Sequence, residues 1–368
     1  MIISRVRIGA YLIISFLALS SHLFSVNSFS TNNFNLDDRM RYFKVPGLSL
    51  AVVDGGDIKA TGYGFLDSKG SGSINSETLF QAGEISKPIT ALAVLKLVED
   101  GVLDLDTDVN NYLKGFVLGQ KIYFSTQHVT LRLLLNHTAG INSYGPKGYS
   151  KNEELPTLID MLNGLGNSEK VAVHHFPGIH YWYSWGGYSL IQKIIEDVTG
   201  LSFDEYMSEN IFKPLGMSRS FFKMPLPKKL QGNVSLGHNL YGESIEGGWR
   251  NYTQLAATGL WSTPTDIAKY TIEIQKILAG DYEGIISKKS VENMLVTYEK
   301  NWGLGLSTKF EGDATIIRHS GENAGYVNYF ISFPYQDKSI VIMTNGENSW
   351  KLIMEMLHSI PNYYEWGL

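Results

Sequence analysis

A chain of 368 residues, 43% hydrophobic and 18% charged, has an ordinary globular composition and is long enough for one large domain or two of usual size. Its formal net charge of -5, with no long run of one sign, excludes the basic groove that nucleic acid or an anionic membrane surface requires. The sequence has no cysteine, which removes disulfides, thiolate metal sites and a cysteine-linked lipid anchor.

The first thirty residues, MIISRVRIGAYLIISFLALSSHLFSVNSFS, carry Arg5 and Arg7, an apolar core from Ile8 to about Leu19, and small residues after it. That order is the pattern of a secretory signal peptide over about residues 1–27, the other reading being an uncleaved N-terminal anchor. The apolar run is shorter than the ~20 residues a membrane-spanning helix needs. A bacterial-type exported protein is expected, secreted or periplasmic, with no integral membrane domain once the signal is removed. Residues 28–368 then form the folded domain.

A short helix is expected from STNNFNLDDRM, followed by a hairpin in VPGLSLAVVDGGDIKATGYGFLD, whose two β-rich runs are split by Asp54-Gly55-Gly56. Residues 84–100 read as a buried helix, with Ile85, Leu92, Leu95 and Val98 at helical spacing and Gly101 placed to stop it. Pro88 is tolerable there because first-turn backbone donors have no intrahelical partner.

The stretch from about 105 to 300 reads as a mostly helical subdomain, clearest in SLIQKIIEDVTG and TPTDIAKYTIEIQKIL. Thr263-Pro264 opens the second of these, with Asp266 near its start. Strands return in WGLGLSTKF, ATIIRHSG, YVNYFISFP and SIVIMTNG, and a helix over about Ser349 to Ile360 closes the chain. Strands at both ends of a helical middle predict an α/β (α+β) fold, one sheet assembled from both termini with the helices inserted.

Two local clusters stand out. Glu84 and Lys87 sit one turn apart at the mouth of an otherwise apolar helix, and Tyr181, Trp182, Tyr183, Trp185 and Tyr188 crowd one short loop. The aromatic cluster suits the wall of a pocket for a small-molecule or peptide-like ligand. His174, His175 and His180 in HHFPGIH have no spacing that makes them converge, so no metal or cofactor is expected.

Several stretches resemble the serine β-lactamase and penicillin-binding-protein family, in the branch with class C β-lactamases, D-aminopeptidases and related esterases. They are LRLLLNHTAGI (131–141), NIFKPLGMSRSFF (210–222), AATGLWSTPTDIAKY (256–270) and RHSGENAGYVNYFISFPYQDKSIVIMTNGEN (318–348), and they run in the family's order. The resemblance implies a β-lactamase/transpeptidase-like fold and, at the helix opening, a Ser-x-x-Lys motif whose serine forms an acyl-enzyme. In QAGEISKPITALAVLKLVEDG the lysine position is Lys87, but three residues earlier stands Glu84, a carboxylate in place of the hydroxyl.

The second motif departs as well. PGIHYWYSWGGYSLIQKIIEDVTG keeps Tyr183, which in the family assists proton transfer, but the asparagine two residues on is Trp185. The third is present in its His-x-Gly form as His319-Ser320-Gly321, and the resemblance assigns the oxyanion hole to the backbone N–H groups of residues 84 and 322. The expected catalytic set is Glu84, Lys87, Tyr183 and His319. The expected substrate-binding set is Trp185, Ser320, Gly321, Glu322 and Trp182.

These substitutions imply that ordinary serine acylation is lost and that the chain is a ligand-binding relic of a hydrolase. Two other readings remain: an enzyme using Glu84 as acid, base or nucleophile on an ester, amide or lactone, and a structural protein of the cell envelope. A carboxylate in a first helical turn also interacts favourably with the helix dipole, typically by about 0.3–1 kcal/mol, so Glu84 has a purely structural reading too.

Overall fold

The computed structural model describes residues 30–31, 34–119, 128–142, 145, 147–280, 282–312 and 314–367. The expected signal segment lies outside the described residues. Among them, no helix is long and apolar enough to cross a membrane.

Helix α1 (Leu36–Phe43) is opened by Asn35, whose side chain accepts from the Asp38 N–H. Strands β1 (Gly47–Asp54) and β2 (Asp57–Gly64) follow as the expected hairpin. Its two-residue turn requires positive φ at both positions, and Gly55 and Gly56 supply 61° and 84° without a Cβ penalty. A short strand β3 (Phe80–Gly83) leads into α2 (Ser86–Glu99), which is buried on almost every face and runs through the core.

The middle of the chain supplies α3 (Leu131–Leu135), α4 (Trp185–Thr199), α5 (Leu255–Thr258), β4 (Leu260–Ser262) and α6 (Pro264–Ala279). Thr263 caps α6 by accepting from the Asp266 N–H, with Pro264 in the first turn, as its sequence predicts. Strands β5 (Ser307–Glu311), β6 (Ala314–Asn323), β7 (Tyr326–Phe333) and β8 (Lys338–Thr344) precede α7 (Trp350–Tyr363). Helix α7 begins one residue later than expected and carries Pro361 through its last turn.

Six strands form one antiparallel sheet in the order β2-β1-β8-β7-β6-β5. The two chain ends meet where β8 pairs with β1, from Lys338 opposite Asp54 to Thr344 opposite Leu48. Side chains alternate between faces. Leu48, Leu50, Val52, Ile340 and Ile342 pack with Leu36 and Met40 of α1 and Leu352 and Met356 of α7. Ala51, Val53, Val341 and Met343 turn the other way, into the larger core with Ile267 and Ile274 of α6 and Ile89 and Leu92 of α2. The sheet therefore lies between two helical layers, and β3 pairs with β4 beside it.

Candidate active site

The site forms where the end of β3 meets β6. Gly83 closes β3 with φ 59°, and a Cβ there would lie 2.5 Å from the Glu322 nitrogen. A Cβ on Gly321 would fall 1.9 Å from the Ala82 carbonyl oxygen and 3.0 Å from the Glu84 nitrogen. Both positions must therefore be glycine for the two backbones to touch. Helix α2 starts at Ser86, so Glu84 lies in the turn before the helix rather than in its first turn, with its carbonyl accepting from the Lys87 N–H at 2.9 Å.

The Glu84 side chain turns back onto the backbone groups expected to form the oxyanion hole. Its Oε2 accepts from the Glu322 N–H at 2.6 Å, its own N–H also acts on it, and its Oε1 accepts from Trp185 Nε1 at 3.0 Å. Only 8% of Glu84 is exposed. Burial pushes its carboxyl pKa up, while Lys87 and the two backbone N–H groups oppose that shift.

Lys87 is fully buried and donates to Tyr183 Oη at 2.9 Å and to the Ala257 carbonyl at 3.4 Å. Its Nζ lies over the rings of Tyr183, Trp185 and Tyr188, at 4.4, 4.9 and 5.5 Å from their centroids. Burial brings its pKa down to about 7 against the pull of the Glu84 charge. The two groups act on each other through space and form no direct ion pair among the described residues.

Tyr183 keeps its proton, because burial and then the Glu84 charge raise its pKa well above the usual phenol value. His319 is 3% exposed and held to about 3, first by burial and then by Lys87. Both it and Tyr183 are therefore neutral near pH 7.

Sequence reasoning missed two neighbours. His137, in the quoted stretch LRLLLNHTAGI, has φ 62° and accepts from the Ser184 N–H through Nδ1 at 3.1 Å. Its ring lies 4.2 Å from that of Tyr183. Trp302 touches Tyr183 at 5.6 Å and both His137 and His319 at 5.3 Å, centroid to centroid. Its only signal was a tryptophan at the head of the expected strand WGLGLSTKF, whose strand in fact begins at Ser307.

Glu84, Lys87, Tyr183 and His319 come together, and Gly321 and Glu322 flank them as the third motif implies. Ser320 lies in β6, its carbonyl facing His319 Nδ1. Trp185 is the first residue of α4 rather than part of a loop. Trp182 is not brought to the site: it is 43% exposed, with its ring 4.3 Å from that of His175. Ser86 is locked away, donating to the Gly83 carbonyl at 2.6 Å and accepting from the Leu260 N–H at 3.0 Å.

A cleft of about 510 Å³ opens beside Glu84 and is also walled by Trp185, Tyr252, Glu322, Asn323 and Glu347. Lys87, Tyr183 and His319 are not among its wall residues. The cleft is thus bordered by the carboxyl group and the indole and not by the lysine, phenol and imidazole behind them.

A family model described as Beta-lactamase matches residues 35–353. Protein flp of Staphylococcus aureus (strain MRSA252) is 27% identical over 333 residues, which is 87% of this chain and 64% of that protein. The chain thus spans less than two thirds of the length of that relative. Penicillin-binding protein 4 of Amycolatopsis lactamdurans is 31% identical over 320 residues, 82% of this chain and 81% of its own. The octameric penicillin-binding protein homologue from Pyrococcus abyssi superposes with a TM-score of 0.73 at 28% identity, over 85% of this chain and 72% of that one. A class C beta-lactamase gives 0.68 at 20% identity, over 84% and 89%, a likeness of fold. The α/β architecture expected from the sequence is the one these structures share.

Proposed function

This chain belongs to the Beta-lactamase family, and we propose that it is an exported member that binds a ligand in its cleft without serine acyl transfer. One observation carries the reading. The Glu84 carboxyl group accepts from the Glu322 N–H at 2.6 Å, so an oxygen of the protein itself already occupies the donors that would hold a substrate's developing oxyanion. Trp185 supports that placement from the other side at 3.0 Å. The two changed motif positions act as one unit: the indole N–H satisfies the carboxylate that replaced the hydroxyl.

A penicillin-like ring would have to displace this carboxylate before its carbonyl could reach the same donors. Ser86, the nearest hydroxyl in sequence, is not free to take over, since both its hydroxyl interactions lie inside the backbone.

A second reading is favoured by the cleft itself. Glu84 faces open space, and Lys87 beside it has a pKa brought down to about 7, so the pair has the parts of a general acid and base. Glu84→Gln separates the two. A screen of activated esters, lactones and D-amino-acid amides is run on wild type and variant. Ligand binding without turnover in either supports the first reading; turnover that falls more than a hundredfold in the variant at unchanged Tm establishes the second.

A further inference from the structure

The cleft reaches Glu84 and Trp185 but not Lys87, Tyr183 and His319. Tyr183 and His319 lie instead under Trp302, the last residue of a turn formed by residues 298–302. The turn closes on itself. The Tyr298 N–H donates to the Trp302 carbonyl at 2.9 Å, and the Trp302 N–H to the Glu299 carbonyl at 3.1 Å. It follows the helix Lys288–Leu295, and the chain beyond it is fastened back to that helix. The Leu304 N–H donates to the Met294 carbonyl at 2.9 Å, and a Cβ on Gly303 would lie 2.3 Å from the same oxygen. Both ends of the turn are thus tied at Met294, and the turn itself projects as a unit.

The position seen for this turn carries costs of two independent kinds. Lys300 and Asn301 have φ 56° and 58°, two successive left-handed residues of which neither is glycine. Three buried nitrogens at the Trp302 contact, Trp302 Nε1, His137 Nε2 and His319 Nε2, also have no hydrogen-bond partner among the described residues. In each imidazole the other nitrogen fixes the role. His137 Nδ1 accepts from the Ser184 N–H, so its Nε2 holds a hydrogen with no acceptor. His319 Nδ1 donates to the Ser320 carbonyl, so its Nε2 keeps a lone pair with no donor. Access of water would satisfy all three. Against these costs stand the packing of the Trp302 ring and polar contacts at the edge of the turn. Glu299 Oε2 accepts from the Tyr181 N–H at 2.5 Å, Glu299 Oε1 lies 3.6 Å from His180 Nδ1, and Arg132 donates to Tyr298 Oη at 3.2 Å.

We propose that residues 298–302 are a strap, latched by Glu299 onto the Tyr181 N–H, which swings about its tie at Met294 and lifts Trp302 off Tyr183 and His319. Opening gives the motif side chains a way to solvent that the cleft does not provide. A moving cover needs a closed form that is only modestly preferred, and backbone strain and unpaired polar atoms gathered at one turn supply that condition. The proposal goes beyond the ligand-binding reading and holds for either use of the cleft.

The chain's own histidines report on the strap. Diethyl pyrocarbonate acylates neutral imidazole through a free lone pair, which His319 offers at Nε2 once Trp302 is lifted. The full chain is treated at pH 7, and the rate at each histidine is read by mass spectrometry after digestion. His180, with 77% of its side chain exposed, marks the unhindered rate. His238 marks global unfolding, since it is fully buried, accepts from the Ser68 N–H and donates to the Asn345 carbonyl. In the wild type His319 is expected to react more slowly than His180 but faster than His238. Glu299→Ala, at an exposed residue, is expected to speed His319 about fivefold, the effect of one lost hydrogen bond, with His238 still unreactive. Trp302→Ala should bring His319 close to the His180 rate and make it indifferent to a further Glu299→Ala. His319 no faster in Glu299→Ala than in wild type overturns the proposal. So does a His319 rate equal to that of His238 in the wild type and Glu299→Ala, or one left unchanged by Trp302→Ala.

Discussion

The Glu322 backbone N–H donates to the Glu84 carboxylate at 2.6 Å. This single contact joins the end of β6 to the entrance of α2 and puts a side-chain oxygen of the protein on the backbone donor that the proposed reading assigns to an oxyanion. It exists because Gly83 and Gly321 let the two backbones come within van der Waals reach.

Restoring the hydroxyl should restore some chemistry. Glu84→Ser recreates Ser-x-x-Lys with Lys87 and Tyr183 still joined at 2.9 Å, and weak hydrolysis of activated esters is expected. Trp185→Asn alone should gain nothing, yet added to Glu84→Ser it should raise the rate further. The two side chains are bonded at 3.0 Å, so their effects should not add independently. Initial rates with a nitrophenyl ester across the four proteins check this. A double variant no faster than wild type would show that the pocket is closed to acyl substrates.

Lys87 should leave a signature in the pH dependence of stability. Its folded pKa is lowered to about 7 from 10.5, so between these values the unfolded chain holds a proton that the folded chain has released. Stability therefore rises with pH through that window, and the cost of the buried ammonium is fully present below it. Glu84 titrates in the opposite sense, its raised folded pKa costing stability as pH rises. The comparison is therefore between Glu84→Gln and Glu84→Gln with Lys87→Met. From pH 7 to 9.5, urea unfolding should show the lysine-bearing protein gaining about 1 kcal/mol per pH unit over its partner. Parallel curves would mean that Lys87 stays charged.

The backbone junction should tolerate no side chain. Gly321→Ala places a methyl 1.9 Å from the Ala82 oxygen, and the shift it forces must part Glu84 from Glu322. A loss of about 1–3 kcal/mol is expected, as for overpacked positions. Gly119→Ala is the control, since a Cβ there meets nothing within 4 Å among the described residues. Thermal unfolding of both variants decides; equal Tm values would refute the junction argument.

The N-terminal pattern predicts processing. Protein recovered from the medium or periplasm should begin between about Ser20 and Thr31, as read by intact mass. An intact Met1 on exported protein would contradict it.

Much of this was legible from residue order alone. The hairpin followed from Asp54-Gly55-Gly56 between β-rich runs, and the capped start of α6 from Thr263-Pro264, because local backbone chemistry decides both. Glu84, Lys87, Tyr183 and His319 were placed by motif spacing. What spacing could not show was the direction of the Glu84 side chain, which depends on β6 lying alongside some 238 residues later. Trp182 was misjudged for a related reason. Adjacent residues in an extended stretch point to opposite sides, so Tyr183 faces Lys87 while Trp182 meets His175 at the surface. Trp302 and His137 reach the site only through tertiary packing, and no short-range pattern announces that.

The central claim is that the carboxylate at residue 84 replaces the nucleophile and leaves no other serine to act. Mass spectrometry after exposure to a fluorophosphonate tests it directly, on wild type and Glu84→Ser side by side. The account predicts an unlabelled wild-type chain and, in the variant, an adduct confined to residue 84. An adduct on wild-type Ser86, Ser184 or Ser320 would contradict it, because the nucleophile would then have moved rather than been lost.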